Sequence, residues 1–382
     1  MQLHHLGAIG IALLVAAGVH PTLVEPTAFA QARGGAAPTY RVVPLWPRPF
    51  PDEWVLGSVS GVATDAQNHV WVVHAGNDSL EPNERGMAPN PGAPPSSSVC
   101  CMAAPFVLEF DPDGRLLSSW GGPSTGWIGG NGGTDGHVLK FTQDGKFVMQ
   151  VGKKGVTRNS LAQDHFFQVA KTFFHAPSNE VFVADGYGNK RVAVVDADSG
   201  KMKRFWGAYG KPPDDKAALG QGPYDPTATY QHFRGPVHCA DVSNDGLVYV
   251  CDRTSNRIQI FKADGTFVRE VYTQRDSRGD GSVWDVAFSR DPQQRFLYVA
   301  DGRNQKVRIF DRQSMTELTT FGKGGHYPGE WYSLHNVATD SKGNLYTVET
   351  YQGRRLQRFL YKGLAPVTTK QQGVAWPTSV SQ

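Results

Sequence analysis

The sequence predicts an all-β fold, a six-bladed β-propeller whose second blade is cut short, and three observations predict it. One pattern recurs: His232 to Phe261 reads as strand, tight turn, strand, short polar loop, strand, and it returns at Phe296 to Phe310 and Lys342 to Phe359. The segments either side of the Asn244-Asp245-Gly246 turn are rich in β-branched and aromatic residues, which suit half-buried strands, while Asn, Asp and Gly reach positive φ at little cost. Forty-three glycines, 25 prolines and 11% aromatics fit many short strands joined by turns. A shared period of roughly 40 to 50 residues with four strands per unit is the signature of propeller blades, and a β-sandwich has no need of one.

The elements follow in order. Residues 1–30 read as an export signal: Leu6 to Val19 is apolar but too short to span a bilayer, and Ala28-Phe29-Ala30 is a small-x-small cleavage site,. The n-region departs from the pattern in carrying His4 and His5 but no Lys or Arg. Residues 31–39 form a linker, 40–363 the propeller and 364–382 a tail. Tyr40 to Leu45 is a strand. Gly61 to Asp65 and Val70 to His74 open the first unit, and Phe106 to Phe110 and Arg115 to Trp120 complete it. The Pro/Gly/Ser-rich loop from Ala75 to Ala104 is too long for a connector and is expected to cap a face. Between Trp120 and His137 only Trp127-Ile128 is apolar, so the second unit has its outer hairpin, Val138–Phe141 with Phe147–Val151, without an inner pair. The third unit spans Phe166 to Trp206, an insertion follows at Gly207 to Tyr230, and the fifth and sixth run Ser282 to Phe321 and Tyr332 to Tyr361.

Composition narrows the partners. A net charge of +3 with 19% charged residues argues against nucleic acid. No later run is long and apolar enough for a transmembrane helix. Export implies a periplasmic or extracellular protein in which Cys100, Cys101, Cys239 and Cys251 can pair, with three pairings open. Cys239 and Cys251 are equidistant from Asp245, so a three-residue hairpin loop sets them opposite one another. Cys100-Cys101 reads as a vicinal disulfide, an intermolecular link or free thiols.

Aligning the repeats on their hairpin glycines brings out the chemistry. His238 precedes Gly246 by eight residues and His335 precedes Gly343 by eight. Both therefore occupy one register of an inner, channel-lining strand, where the other units carry Ser60, Ala170 and Trp284. Two imidazoles at one height are half of a metal site, or else two channel histidines bonded to water and backbone. Tyr187 and Arg253 occupy the loop after the second strand in neighbouring units, where a phenol can exchange protons and a guanidinium can clamp a carboxylate. Arg191, Arg257, Lys306 and Arg355 recur at the entry to the third strand and are expected to pair between blades.

These residues carry a resemblance. The blades resemble NHL repeats, and His238, Arg253, Asp185-Gly186-Tyr187 with Asn189 and Arg191, and Leu334-His335 resemble the peptidyl-α-hydroxyglycine α-amidating lyases, over roughly Tyr40 to Tyr361. The resemblance implies a six-bladed propeller with a channel zinc and a structural calcium. The activity it implies splits a carbinolamide C–N bond, releasing glyoxylate and a peptide amide. Carried over by position, His238 and His335 match two of three zinc ligands, Tyr187 the catalytic tyrosine and Arg253 one of two arginines. Val62 matches a carbonyl on calcium. Three positions depart: the first zinc histidine falls in the stretch after Trp120, the first arginine on Ala75 and the calcium aspartate on Asn336. His137 and His74 are the other candidates for a third ligand.

Two functions follow. The first is an exported zinc-dependent lyase acting, as a monomer, on a small molecule or peptide bearing a carboxylate. The second is a non-catalytic propeller that serves as a binding or scaffold module. A lactonase-like calcium propeller would need inward carboxylates, which only Asp285 clearly supplies.

Overall fold

The computed structural model describes residues 35–84, 86, 100–121 and 136–376. The export signal, most of the 75–104 loop beyond Glu84 and the Gly-rich stretch after Trp120 lie outside the described residues. Within them the chain forms five four-stranded antiparallel sheets and one antiparallel pair, Gly136–Phe141 with Phe147–Lys153, in sequence along the chain. A short parallel pair, Trp54–Val55 with Met102–Ala103, sits beside the first sheet. The fold is an all-β propeller, with five complete blades and one hairpin where the sequence implied a truncated second blade.

Both chain ends close the ring. Ala36–Val43 pairs antiparallel with Leu356–Pro366 and becomes the outer strand of the last sheet. The closing strand thus begins inside the stretch read as linker, and its partner runs past residue 363. Part of the tail is also engaged, since Ala375 N donates to Tyr40 O at 3.1 Å. No helix among the described residues is long and apolar enough to cross a membrane.

The middle strands explain why the blades stack. Leu247–Asp252 and Glu180–Asp185 lie between two strands of their own sheet and under neighbouring blades, so both faces are covered and nearly every residue is buried. Each main core cluster belongs to two consecutive sheets. Phe182, Val194 and Trp206 of the third meet Phe233, Val248 and Phe261 of the fourth. Side chains of this size each stabilise by roughly 2–3 kcal/mol on full burial. The hairpin is tied in on both sides: Val138 packs with Val181 and Val183, and Phe141 lies 5.1 Å from Trp120.

A recurring carboxylate–arginine pair marks the third to sixth blades. Asp185–Arg191, Asp252–Arg257 and Asp301–Arg308 are buried pairs at 2.8, 2.9 and 2.7 Å, and Glu349–Arg355 repeats the motif at 2.5 Å. Arg191 also donates to the carbonyls of Ser160, Ala162 and His165, and Arg257 to those of Tyr230 and His232. The pairing is thus within a blade and onto its entry loop, not between blades. In the fifth blade Arg308 takes the position expected of Lys306, whose ammonium instead reaches Gln371 at the surface. The cause is geometric: side chains alternate along a strand, and Arg308 lies two residues on, on the same face as Lys306.

Candidate active site

The inner strands Val59–Thr64, Lys171–His175, Val237–Val242, Asp285–Phe288 and Leu334–Thr339 surround the channel. Three of them carry a bulge at the aligned position. Val59 pairs with His74 and Gly61 with Val73, leaving Ser60 extra. Leu334 pairs with Glu349 and Asn336 with Val348, leaving His335 extra. Between the pairs Val237–Asp252 and Ala240–Val250, His238 and Cys239 together oppose Cys251. A bulge breaks the ladder and re-aims a side chain. That places the two imidazoles 4.9 Å apart, centroid to centroid, and edge to face. Cys239 and Cys251 form the disulfide expected of them, and Cys100 and Cys101 bond to each other, the vicinal alternative.

Both histidines present the same nitrogen. His238 Nδ1 is hydrogen-bonded to the carbonyl of Trp284 and His335 Nδ1 to Oδ1 of Asn336. Since those oxygens only accept, each Nδ1 carries the proton and each Nε2 its lone pair. Burial holds His335 down at about 4 and His238 well below the usual imidazole range, with Arg253 and, for His238, His335 adding to the effect. Neutral rings with Nδ1 held by an acceptor are what metal ligation by Nε2 requires. His238 Nε2 accepts from Tyr187 Oη at 3.0 Å.

Tyr187 is set by its own loop. A Cβ on Gly186 would lie 2.0 Å from Val237 O, so only glycine lets this loop abut the next inner strand. Lys190, which the sequence reading did not single out, donates to the carbonyls of Gly186 and Tyr187 at 3.2 and 3.3 Å, and burial lowers its ammonium to about 8. Burial also raises the Tyr187 phenol, against Arg253, so the proton stays on Oη. Arg253 Nη1 donates to that oxygen at 3.2 Å. A directed chain therefore runs from Arg253 through Tyr187 and His238 to the Trp284 carbonyl.

Arg253 is 5% exposed, its guanidinium lies 4.4 Å above the Trp284 ring, and its buried Nε has no partner. Trp284 stands in the register that elsewhere carries histidine and walls the site, 5.5 Å from His335. Tyr351 extends that wall, 6.4 Å from Trp284.

Below the histidines lies a second group of residues. Lys171 Nζ donates to Asp241 Oδ2 at 2.8 Å and Asp285 Oδ1 at 2.5 Å. Asp285 Oδ2 accepts from Asn336 Nδ2 at 3.0 Å and Val337 N at 3.1 Å. Burial pushes Asp241 up to about 7, opposed by Lys171 and aided by Asp285. Of the two donors read for calcium, the structure shows a commitment for Asn336 and a place in the ladder for Val62. Asn336 commits its oxygen to His335 and its nitrogen to Asp285, and Val62 lies on the first inner strand, paired with Val72.

The two other histidines fare differently. His74 is a structural group: Nδ1 accepts from Gly57 N and Gly76 N, both at 3.1 Å, and Nε2 donates to Pro105 O at 2.9 Å, which leaves no ligand atom. His137 pairs with Gly152 in the hairpin. Among the described residues, the groups of three or more His, Cys, Asp or Glu donors within 4.8 Å are Asp65–His69–Glu109 and Cys239–Asp241–Asp285. Neither includes a channel histidine, and Cys239 is spent on its disulfide.

The fold and channel define a propeller with a histidine–tyrosine–arginine constellation on its axis. Comparison with known proteins finds distant sequence similarity to one group. The chain is 26% identical over 252 residues to peptidylglycine alpha-amidating monooxygenase of Rattus norvegicus, covering 58% of this chain and 22% of that protein. The Mus musculus protein is 28% identical over the same length and shares. Peptidyl-glycine alpha-amidating monooxygenase B of Xenopus laevis is 23% identical over 276 residues, 65% of this chain and 27% of its own. The match thus spans about a quarter of the length of these relatives. No family model matches the chain. A solved structure of a streptogramin B lyase superposes with a TM-score of 0.47 at 9% identity, covering 86% of this chain and 98% of that one.

Proposed function

We propose that this chain is an exported, metal-dependent lyase of the peptidylamidoglycolate type, cleaving the C–N bond of a carbinolamide to release glyoxylate. The supporting observation is Arg253: a buried guanidinium, stacked on Trp284, with an unpartnered Nε one hydrogen bond from the Tyr187–His238 pair. A buried donor without a partner is costly, and a carboxylate on the substrate satisfies it by a charge-assisted bond. The relatives named for amidation agree with a substrate of this class.

The residues divide the work. Arg253 orients the substrate through its carboxylate. Tyr187, kept protonated by burial, stands ready to give its proton to the departing amide nitrogen, which leaves with the C–N electron pair. The hydroxyl proton lost as the aldehyde forms replaces it, so neither protons nor electrons are left over. His238 and His335 would hold zinc through Nε2, which for His238 means giving up the bond from Tyr187 Oη and freeing that hydroxyl for the substrate; the ion would supply Lewis-acid polarisation of the substrate oxygen. In this reading the two-stranded sheet is the outer half of a sixth blade, and the protein acts as a monomer in the periplasm or outside the cell.

The test is glyoxylate release from an N-acyl-α-hydroxyglycine by zinc-reconstituted protein, lost on chelation and in His238→Ala. No glyoxylate from metal-restored wild type sinks the reading. The alternative, a non-catalytic binding module, is favoured by the lack of a third clustered donor beside the channel histidines among the described residues. Its mark is saturable binding of a carboxylate-terminated peptide without turnover.

A further inference from the structure

We propose that Lys171 is a built-in cation: its ammonium, lodged between Asp241 and Asp285 across the channel, holds the inner strands together in place of a divalent ion. The inference does not need the lyase reading: Lys171, Asp241 and Asp285 lie outside the Arg253–Tyr187–His238 chain, and Asp285 meets the site only through Asn336, which holds His335 Nδ1.

The geometry carries it. Lys171 lies on the inner strand of the third blade, Asp241 on that of the fourth and Asp285 on that of the fifth. The lysine passes the fourth blade to reach the fifth, and Asp285 extends the node to Asn336 and Val337 on the sixth. One ammonium therefore links four blades, the task a multidentate ion performs where carboxylates from several strands converge. The Asp241 and Asp285 side chains are 7% and 1% exposed, and carboxylates so buried persist only if paired. The distances of 2.8 and 2.5 Å leave no room for calcium, which needs six to eight oxygens at about 2.3–2.6 Å. Asp241 Oδ1 is buried without a partner, so removing the lysine leaves oxygens from two carboxylates facing the vacated space.

The experiment is thermal melting in calcium-free buffer with and without millimolar CaCl₂, on zinc-loaded full-length protein, because imidazole is a poor ligand for calcium and the added ion leaves the histidines alone. Wild type is expected to melt at the same temperature in both. Lys171→Ala is expected to melt roughly 5 °C lower without calcium and to recover most of that loss with it. Asp241→Asn in the Lys171→Ala background is expected to abolish the recovery. A calcium-dependent rise in wild type that Asp285→Asn removes overturns the proposal, as does a destabilised Lys171→Ala that calcium does not restore. The wild-type comparison stands even if the variant fails to fold.

Discussion

Two levels of one channel, built from the same inner strands, have opposite characters. The upper level holds neutral imidazoles, a protonated phenol and an arginine with an unused buried donor, and it is left short of a partner. The lower level matches its charges, ammonium to two carboxylates and carboxylate to amide and backbone, and leaves only Asp241 Oδ1 without a partner. An incomplete polar cluster is costly and is kept where something binds. A complete one ties strands together. The difference teaches where to look for chemistry, since the bulges at His238 and His335 lie in the upper level and the regular ladder resumes below it.

The comparison can be broken most sharply by exchanging the effects of its two halves. Tyr187→Phe deletes one hydroxyl and is expected to cut glyoxylate release by about 10²–10⁴-fold while shifting stability by no more than about 1 kcal/mol. Asp285→Ala should weigh mainly on stability, costing roughly 3 kcal/mol, because it leaves the Asn336 amide and Val337 N without their acceptor and Lys171 with Asp241 alone,. Urea denaturation and a glyoxylate assay on both variants suffice. Equal stability losses would erase the distinction between the levels.

A smaller effect concerns acid. His74 is buried, and burial lowers it to about 4 from 6.5. Below pH 6.5 the unfolded chain takes up a proton that the folded state refuses, so stability falls as pH drops and levels off near pH 4, by roughly 3 kcal/mol for this one group. Denaturation midpoints at pH 7 and 4.5 measure it, and a flat profile contradicts the assignment of His74 as a neutral structural group. Smallest is the disulfide. Cys239→Ser with Cys251→Ser opens a link of sequence separation 12 and is expected to cost about 2 kcal/mol. Because Cys239 shares the bulge with His238, the same variant sharpens the comparison: activity should fall further than stability alone predicts.

Much of this was legible in the chain. The hairpin glycines betrayed the period, the symmetric spacing of Cys239 and Cys251 about Asp245 betrayed their pairing, and the common offset of His238 and His335 placed them together. Each is a local or periodic signal. Lys171 was silent because its role depends on a side chain crossing to a blade 114 residues away. Arg308 was hidden behind Lys306, since two basic residues on one face of a strand look alike until one is buried. The expectation that arginines pair between blades failed for a related reason: the entry loop, not the neighbouring sheet, supplies the bare carbonyls.

By itself the sequence determined the strand period, the turns, the cysteine pair and the register of the two histidines, because these follow from backbone preferences and from side-chain alternation over a few residues. Only the tertiary structure decided which way those histidines point, what occupies the axis beneath them and which buried donor is left without a partner. Those depend on bulges and on the convergence of five inner strands, where distances of a few ångströms between residues far apart in the chain determine which charges are matched.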